Sequence, residues 1–308
     1  MRKSALLVTL IFFITLIIGG CGTASEQSSE TKEQLKVYTG IYPLYDFAKH
    51  IGGDKIFVKN IVPAGAEPHG WEPSPQDVAD ISNADILILT GSGMEAWADK
   101  VLSVIDKNKV TVIYAGQNIE LIEGIQHEEH DHGGKDPHIW LDPLYAKTMV
   151  DNILAGLVKA DEKNKAIYES NAEAYKKELD KLHEEYQTGL ATAKIKEFVT
   201  SHAAFGYLAK RYNLIQVPVR GLTAESEPSP ADMAAVVKLA REKNIKYIFF
   251  ETLVSPKVSE AIAAELQGQT LVLDPLGSLS EQDIAAGKDY LSVMRENLKN
   301  LKIALGAV

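Results

Sequence analysis

Residues 72–79 read Glu-Pro-Ser-Pro-Gln-Asp-Val-Ala and residues 227–234 read Glu-Pro-Ser-Pro-Ala-Asp-Met-Ala, identical at six of eight positions. Ser74 and Ser229 suit a helix N-cap, and Pro75 and Pro230 suit the first helical position. Asp77 and Asp232 sit where a carboxylate reaches back to the cap. Each copy is therefore a helix start, followed by a helical stretch and then an apolar strand. The same device used once in each half of the chain marks two related modules.

Around the first copy, β-rich runs at 36–39, 56–62, 86–90 and 110–114 alternate with helical patterns that include 75–82 and 95–105. Around the second, strands are expected at 198–201, 215–219, 247–251 and 270–273, with helices at 203–212, 230–243, 256–266 and 289–301. Alternation of this kind gives an α/β fold whose sheets are mainly parallel. Between the halves, residues 162–194 contain no Pro, one Gly and dense charge, while Tyr168, Ala172, Tyr175, Leu179, Leu182 and Tyr186 recur at three- and four-residue steps. That spacing predicts one long helix; the pattern runs too few heptads, with too many polar seam positions, for a coiled coil. The expected fold is two α/β lobes, 35–161 and 195–308, each a mainly parallel sheet flanked by helices and joined by this single connector.

The N-terminus sets the compartment. Arg2 and Lys3 precede an apolar run over 5–18, shorter than the roughly 20 residues of a membrane span and suited to a signal peptide over 1–20. The run ends Ile18-Gly19-Gly20-Cys21, which resembles a lipobox, so Cys21 is expected to carry lipid and anchor the chain to the membrane. Cys21 is the only cysteine, which excludes an intrachain disulfide. Residues 21–34, rich in Ser, Thr, Glu and Gln, bury too little to order themselves and read as a tether. A net charge of −10 argues against nucleic acid as a partner.

Chemistry concentrates in the histidines. His69, in Pro63-Ala-Gly-Ala-Glu-Pro-His-Gly-Trp, follows the strand ending at Val62. His202 follows Phe198-Val-Thr-Ser, and Asp274 follows Leu271-Val-Leu. His138 stands in Asp136-Pro-His-Ile-Trp-Leu-Asp-Pro, before the connector. Ends of strands are where open α/β sheets hold ligands, so each lobe offers two candidate metal ligands. Three imidazoles and one carboxylate suit tetrahedral Zn²⁺, whereas manganese favours more oxygen. Asp136 and Asp142 flank His138 and either orient its ring or serve as turn residues. His127-Glu-Glu-His-Asp-His132, containing His127, His130 and His132, is an auxiliary metal tract by composition or a solvated loop. His50 and His183 read as ordinary surface positions on helices.

The runs Pro-His-Gly-Trp-Glu-Pro-Ser-Pro, Asp-Pro-His-Ile-Trp-Leu-Asp-Pro, Ser-His-Ala-Ala-Phe-Gly-Tyr and Leu-Asp-Pro-Leu-Gly resemble those of the zinc and manganese ABC-transporter solute-binding lipoproteins, from Leu35 to the C-terminus. The resemblance implies a metal held between two lobes by His69, His138, His202 and Asp274, with a permease and its ATPase subunit as partners of a monomeric receptor. Manganese-specific members typically carry Glu at the third position, so His202 implies zinc. A family Glu beside the metal corresponds to Glu251, which either joins the ligands, supports them, or is satisfied by backbone N–H groups. Zinc-specific members often carry a longer His-rich loop at the place of 127–132.

Three rival functions have separable signatures. A zinc hydrolase needs an open metal position and a base, and His-Glu-x-x-His is missing. A siderophore-type receptor would line its cleft with aromatics and Arg. An adhesin role leaves the histidines unexplained, although one protein can do both.

Overall fold

The computed structural model describes residues 34–124, 134–224 and 228–307. The signal segment, Cys21, the tether up to residue 33 and the histidines of the 127–132 tract lie outside these residues. In the first half, β1 (Leu35–Thr39), α1 (Tyr42–Gly52), β2 (Ile56–Asn60), α2 (Pro75–Ser82), β3 (Ile86–Leu89), α3 (Ala98–Leu102) and β4 (Thr111–Tyr114) form a parallel sheet in the order β2-β1-β3-β4 with its helices. Two helices follow, α4 (Pro143–Ala160) and α5 (Lys165–Leu190). The second half runs β5 (Glu197–Thr200), α6 (Gly206–Arg211), β6 (Ile215–Pro218), α7 (Pro230–Glu242), β7 (Tyr247–Phe250), α8 (Lys257–Glu265), β8 (Gln269–Val272), α9 (Glu281–Ala285) and α10 (Tyr290–Leu305). Its sheet, β6-β5-β7-β8, is also parallel and repeats the first order strand for strand. This is the expected two-lobe α/β architecture.

Both copies of the repeated octapeptide start a helix as their chemistry dictates. Ser74 accepts from Asp77 N and Asp77 accepts from Ser74 N, and Ser229 and Asp232 do the same, so α2 and α7 each open on a reciprocal cap. In both sheets the chain turns back between the first and third strands, which puts the loops after the strand C-termini over a common crevice.

The connector is α5, 26 residues and about 39 Å long. It is shorter than 162–194 at both ends: Glu162–Asn164 form a separate 3₁₀ turn, because Asp161 gathers Asn164 Nδ2 at 2.5 Å and the Tyr168 hydroxyl at 2.8 Å. Its buried face is Tyr168, Ala172, Tyr175, Leu179, Leu182, Tyr186 and Leu190. Tyr175 donates to Asp46 of α1 at 2.7 Å, and Tyr186 donates to the Met294 carbonyl of α10 at 2.6 Å. One hydrophobic core runs under both sheets, from Val37 and Ile86 through α5 to Phe198 and Phe249. Second clusters cover the outer face of each sheet.

The helix expected over 95–105 is regular only at Ala98–Leu102. Glu95 is turned inward instead, accepting from Thr90 N at 2.9 Å and Thr90 Oγ1 at 2.5 Å, and its burial raises its pKa. His50 is exposed on α1 and His183 half-buried on α5, and each ring has a neighbour. His50 stacks on Tyr175 with ring centroids 4.3 Å apart, and the His183 ring nitrogen meets the Tyr212 hydroxyl at 3.1 Å.

Candidate metal centre

The loops after β2, β4 and β5 bring His69, His138 and His202 to one point, and these three form a group whose ligand atoms all lie within 4.8 Å of one another. His138 Nε2 is 3.1 Å from His69 Nε2 and 3.4 Å from His202 Nε2. Zn–N bonds of 2.0–2.1 Å in tetrahedral array put neighbouring nitrogens about 3.3–3.4 Å apart. Both separations from His138 are therefore close to the edge of a tetrahedral Zn–N₃ face.

What makes Nε2 the inward atom is a carboxylate on each opposite nitrogen. Glu67 Oε1 lies 2.5 Å from His69 Nδ1, Asp136 Oδ1 lies 2.8 Å from His138 Nδ1, and Glu251 Oε1 lies 2.6 Å from His202 Nδ1. An ionised carboxylate only accepts, so with these acids ionised each Nδ1 carries the proton and each Nε2 keeps its lone pair. Two of the three pairs share a local design, acid-Pro-His. Glu67 Oε1 also accepts from His69 N at 2.9 Å, and Asp136 Oδ1 also accepts from His138 N at 2.9 Å. His202 instead takes its partner from the end of β7, where Glu251 also accepts from Ser201 Oγ.

The frame around the rings is close-fitting. Ser92, after β3, donates to the Pro137 carbonyl at 2.7 Å, and Tyr207 donates to the Asp136 carbonyl at 2.7 Å. A Cβ at Gly206 would fall 2.6 Å from Asp136 Oδ2, so glycine there leaves room for that carboxylate. Trp140 packs beside His138 and donates across to the Pro275 carbonyl at 2.7 Å, while Gln216 holds the His202 carbonyl at 2.9 Å.

Burial and charge set the titration of these groups. Burial, with the two neighbouring imidazoles, holds the His138 pKa well below its ordinary value. Burial also works against a charged His202, but the Glu251 carboxylate outweighs it and the pKa is raised. Glu251 and Glu67 are correspondingly lowered, their burial outweighed by His202 and His69 respectively. Asp136 is pushed up to about 7, chiefly by burial.

Asp274 is not in the three-histidine group. It lines the same cavity as Glu67, His69, His138 and Glu251, but its oxygens are engaged: Oδ1 accepts from Leu276 N at 2.7 Å and Oδ2 from Thr252 Oγ1 at 2.8 Å. Asn297 of α10 clamps its backbone on both sides, at 2.8 and 2.7 Å. Burial raises its pKa to about 6. Asp142, the other acid beside His138, caps α4 through Leu144 N and pairs with Arg211 at 2.7 Å, so it serves the helix. Glu67 was not among the residues singled out from sequence. The signal for it was present, because Glu67-Pro68-His69 repeats the spacing of Asp136-Pro137-His138.

A family model described as zinc-uptake complex component A, periplasmic (ZnuA), matches residues 37–304. The high-affinity zinc uptake system protein ZnuA of Bacillus subtilis (strain 168) is 40% identical over 301 residues, 94% of each chain. The zinc-binding lipoprotein AdcA of Streptococcus pneumoniae (strain ATCC BAA-255 / R6) is 39% identical over 310 residues, which covers 98% of this chain and 61% of AdcA. The crystal structure of the Zn(II)-bound ZnuA-like domain of Streptococcus pneumoniae AdcA matches with a TM-score of 0.78 at 40% identity, over 89% of this chain and 99% of that one. From Val37 into α10 the chain is that of one family throughout, and it belongs to the periplasmic zinc-uptake component A (ZnuA) family.

Proposed function

We propose that this protein is an extracytoplasmic receptor that binds one Zn²⁺ ion and delivers it to an ABC importer, a permease with its ATPase subunit. The observation that carries this reading is the convergence of three imidazoles, with the His69 and His202 Nε2 atoms 3.1 and 3.4 Å from that of His138 and each ring backed by a carboxylate. His69, His138 and His202 are the imidazole ligands, and Asp274 completes the shell from across the cavity by exchanging its Thr252 bond for the metal. Four protein ligands leave no open position for an activated water, and Glu251, the base that a hydrolase would need, is committed to His202. The protein is therefore a carrier and not an enzyme. Cys21 supplies the membrane anchor, with residues 22–34 as the tether. No described helix is long and apolar enough to cross a membrane.

The test is to strip the protein starting after Cys21 with chelator and titrate zinc and manganese separately by calorimetry. Tight one-to-one zinc binding with weak manganese binding is the expected result; tight binding of neither metal would remove the reading.

Acid should weaken binding. A bound imidazole must give up its second proton, and His202, with its raised pKa, is the first of the buried pair to hold one as pH falls, while His138 stays neutral. Zinc affinity is thus expected to rise with pH through the range where His202 deprotonates, and to level off above it. Competition against a chelator at neutral and mildly acidic pH checks this; equal affinities, after correction for the chelator's own protonation, contradict histidine ligation.

A further inference from the structure

We infer that Glu67 is the positioning residue for His69, fixing the proton on Nδ1 and aiming Nε2 at the metal. The inference rests on the site reading above.

Among the three imidazoles, His69 has the least support from its surroundings. His138 and His202 have fully buried side chains, whereas the His69 side chain keeps 11% of its surface exposed. Like the other two, His69 stands on an irregular segment, here the one between β2 and α2, so no helix or strand fixes its ring. The ring contacts it does make are to the other two site histidines, at centroid separations of 5.1 and 5.4 Å. What remains to orient it is Glu67, whose single oxygen Oε1 takes both the backbone N–H and the ring N–H of His69.

The backbone under this pair is secured from the other half of the chain. Gly65 N donates to the Leu279 carbonyl at 2.8 Å. Pro68 packs so closely on Gly277 that a Cβ there would come within 2.7 Å of its ring. With the backbone held, the Glu67 side chain sets the ring's rotation and tautomer. An imidazole with its proton on Nε2 would present an N–H to the metal, so losing Glu67 costs affinity even when the ring stays in place.

The test compares Glu67→Ala and Glu67→Gln. Glutamine keeps an acceptor oxygen at the same reach, so it can take the same two hydrogen bonds without the charge. Zinc affinity should fall roughly 10–100-fold in Glu67→Ala, the range for losing a carboxylate behind a ligating histidine, and Glu67→Gln should recover most of the loss. On metal-free protein, ¹⁵N NMR should show His69 with its proton on Nδ1 in the parent and a mixture of tautomers in Glu67→Ala. Unchanged affinity or an unchanged tautomer in Glu67→Ala overturns the role. Glutamine as weak as alanine overturns it too, and points to the charge of Glu67 acting on the metal directly. If the parent fails to bind zinc, the site reading fails instead, and the tautomer of metal-free His69 still decides the role of Glu67.

Discussion

His138→Ala is expected to abolish tight zinc binding, with a loss exceeding the roughly 10–100-fold that removal of a supporting carboxylate costs. His138 is the shared vertex of the cluster, the ring whose Nε2 approaches both of the others, at 3.1 and 3.4 Å. Without it two imidazoles remain, and no other His, Cys, Asp or Glu among the described residues belongs to the group. Asp136 loses its ring partner at the same time and is left in a buried position that already raises its pKa to about 7. Titration calorimetry measures the loss, and the melting temperature of the metal-free variant separates it from misfolding. Retained tight binding in a folded His138→Ala protein would mean that the cluster is not the metal site.

Leu179→Ala should do the opposite, damaging the fold and sparing the site. Leu179 is fully buried on α5, in the core that runs under both sheets. Truncating such a leucine costs about 2–5 kcal/mol, part transfer and part residual cavity. For a domain of this size the melting temperature should fall by roughly 5–15 °C. Calorimetric melting must compare metal-free proteins, because a bound ion stabilises the folded state by mass action and masks the loss. Zinc affinity, measured well below the melting range, should match the parent. A shift in affinity of tenfold or more would show that α5 packing controls the geometry of the cluster.

Much of this was legible in the sequence because the signals are local. The octapeptide repeat places both helix starts by capping chemistry alone, and apolar runs with turn punctuation locate all eight strands within a residue or two. His69, His138 and His202 stand out because imidazoles at strand ends are rarely needed for packing. Other features depend on what folds against them. The 95–105 pattern is helical in period, yet Glu95 is drawn inward by Thr90, a partner that no periodicity reveals. Likewise α1 and α4 were not singled out, although both pack against α5. Glu251 finds His202 only when β7 lies beside β5, so sequence left its role open between ligand, support and structural cap. Glu67 is the instructive miss, since its partner is two residues away.

The acid-Pro-His design at 67–69 and 136–138 has one more consequence. Proline has a fixed φ and no N–H, so within each tripeptide the only donors after the acid are the histidine's own, and the acid takes both. Each ring therefore gives up its rotational freedom when the chain folds, and the arriving ion does not have to freeze it. Since each clip spans three residues, the aim of its ring is set within its own loop. Two of the three nitrogens are thus preorganised within three-residue clips, and an arriving ion meets rings that are already aimed.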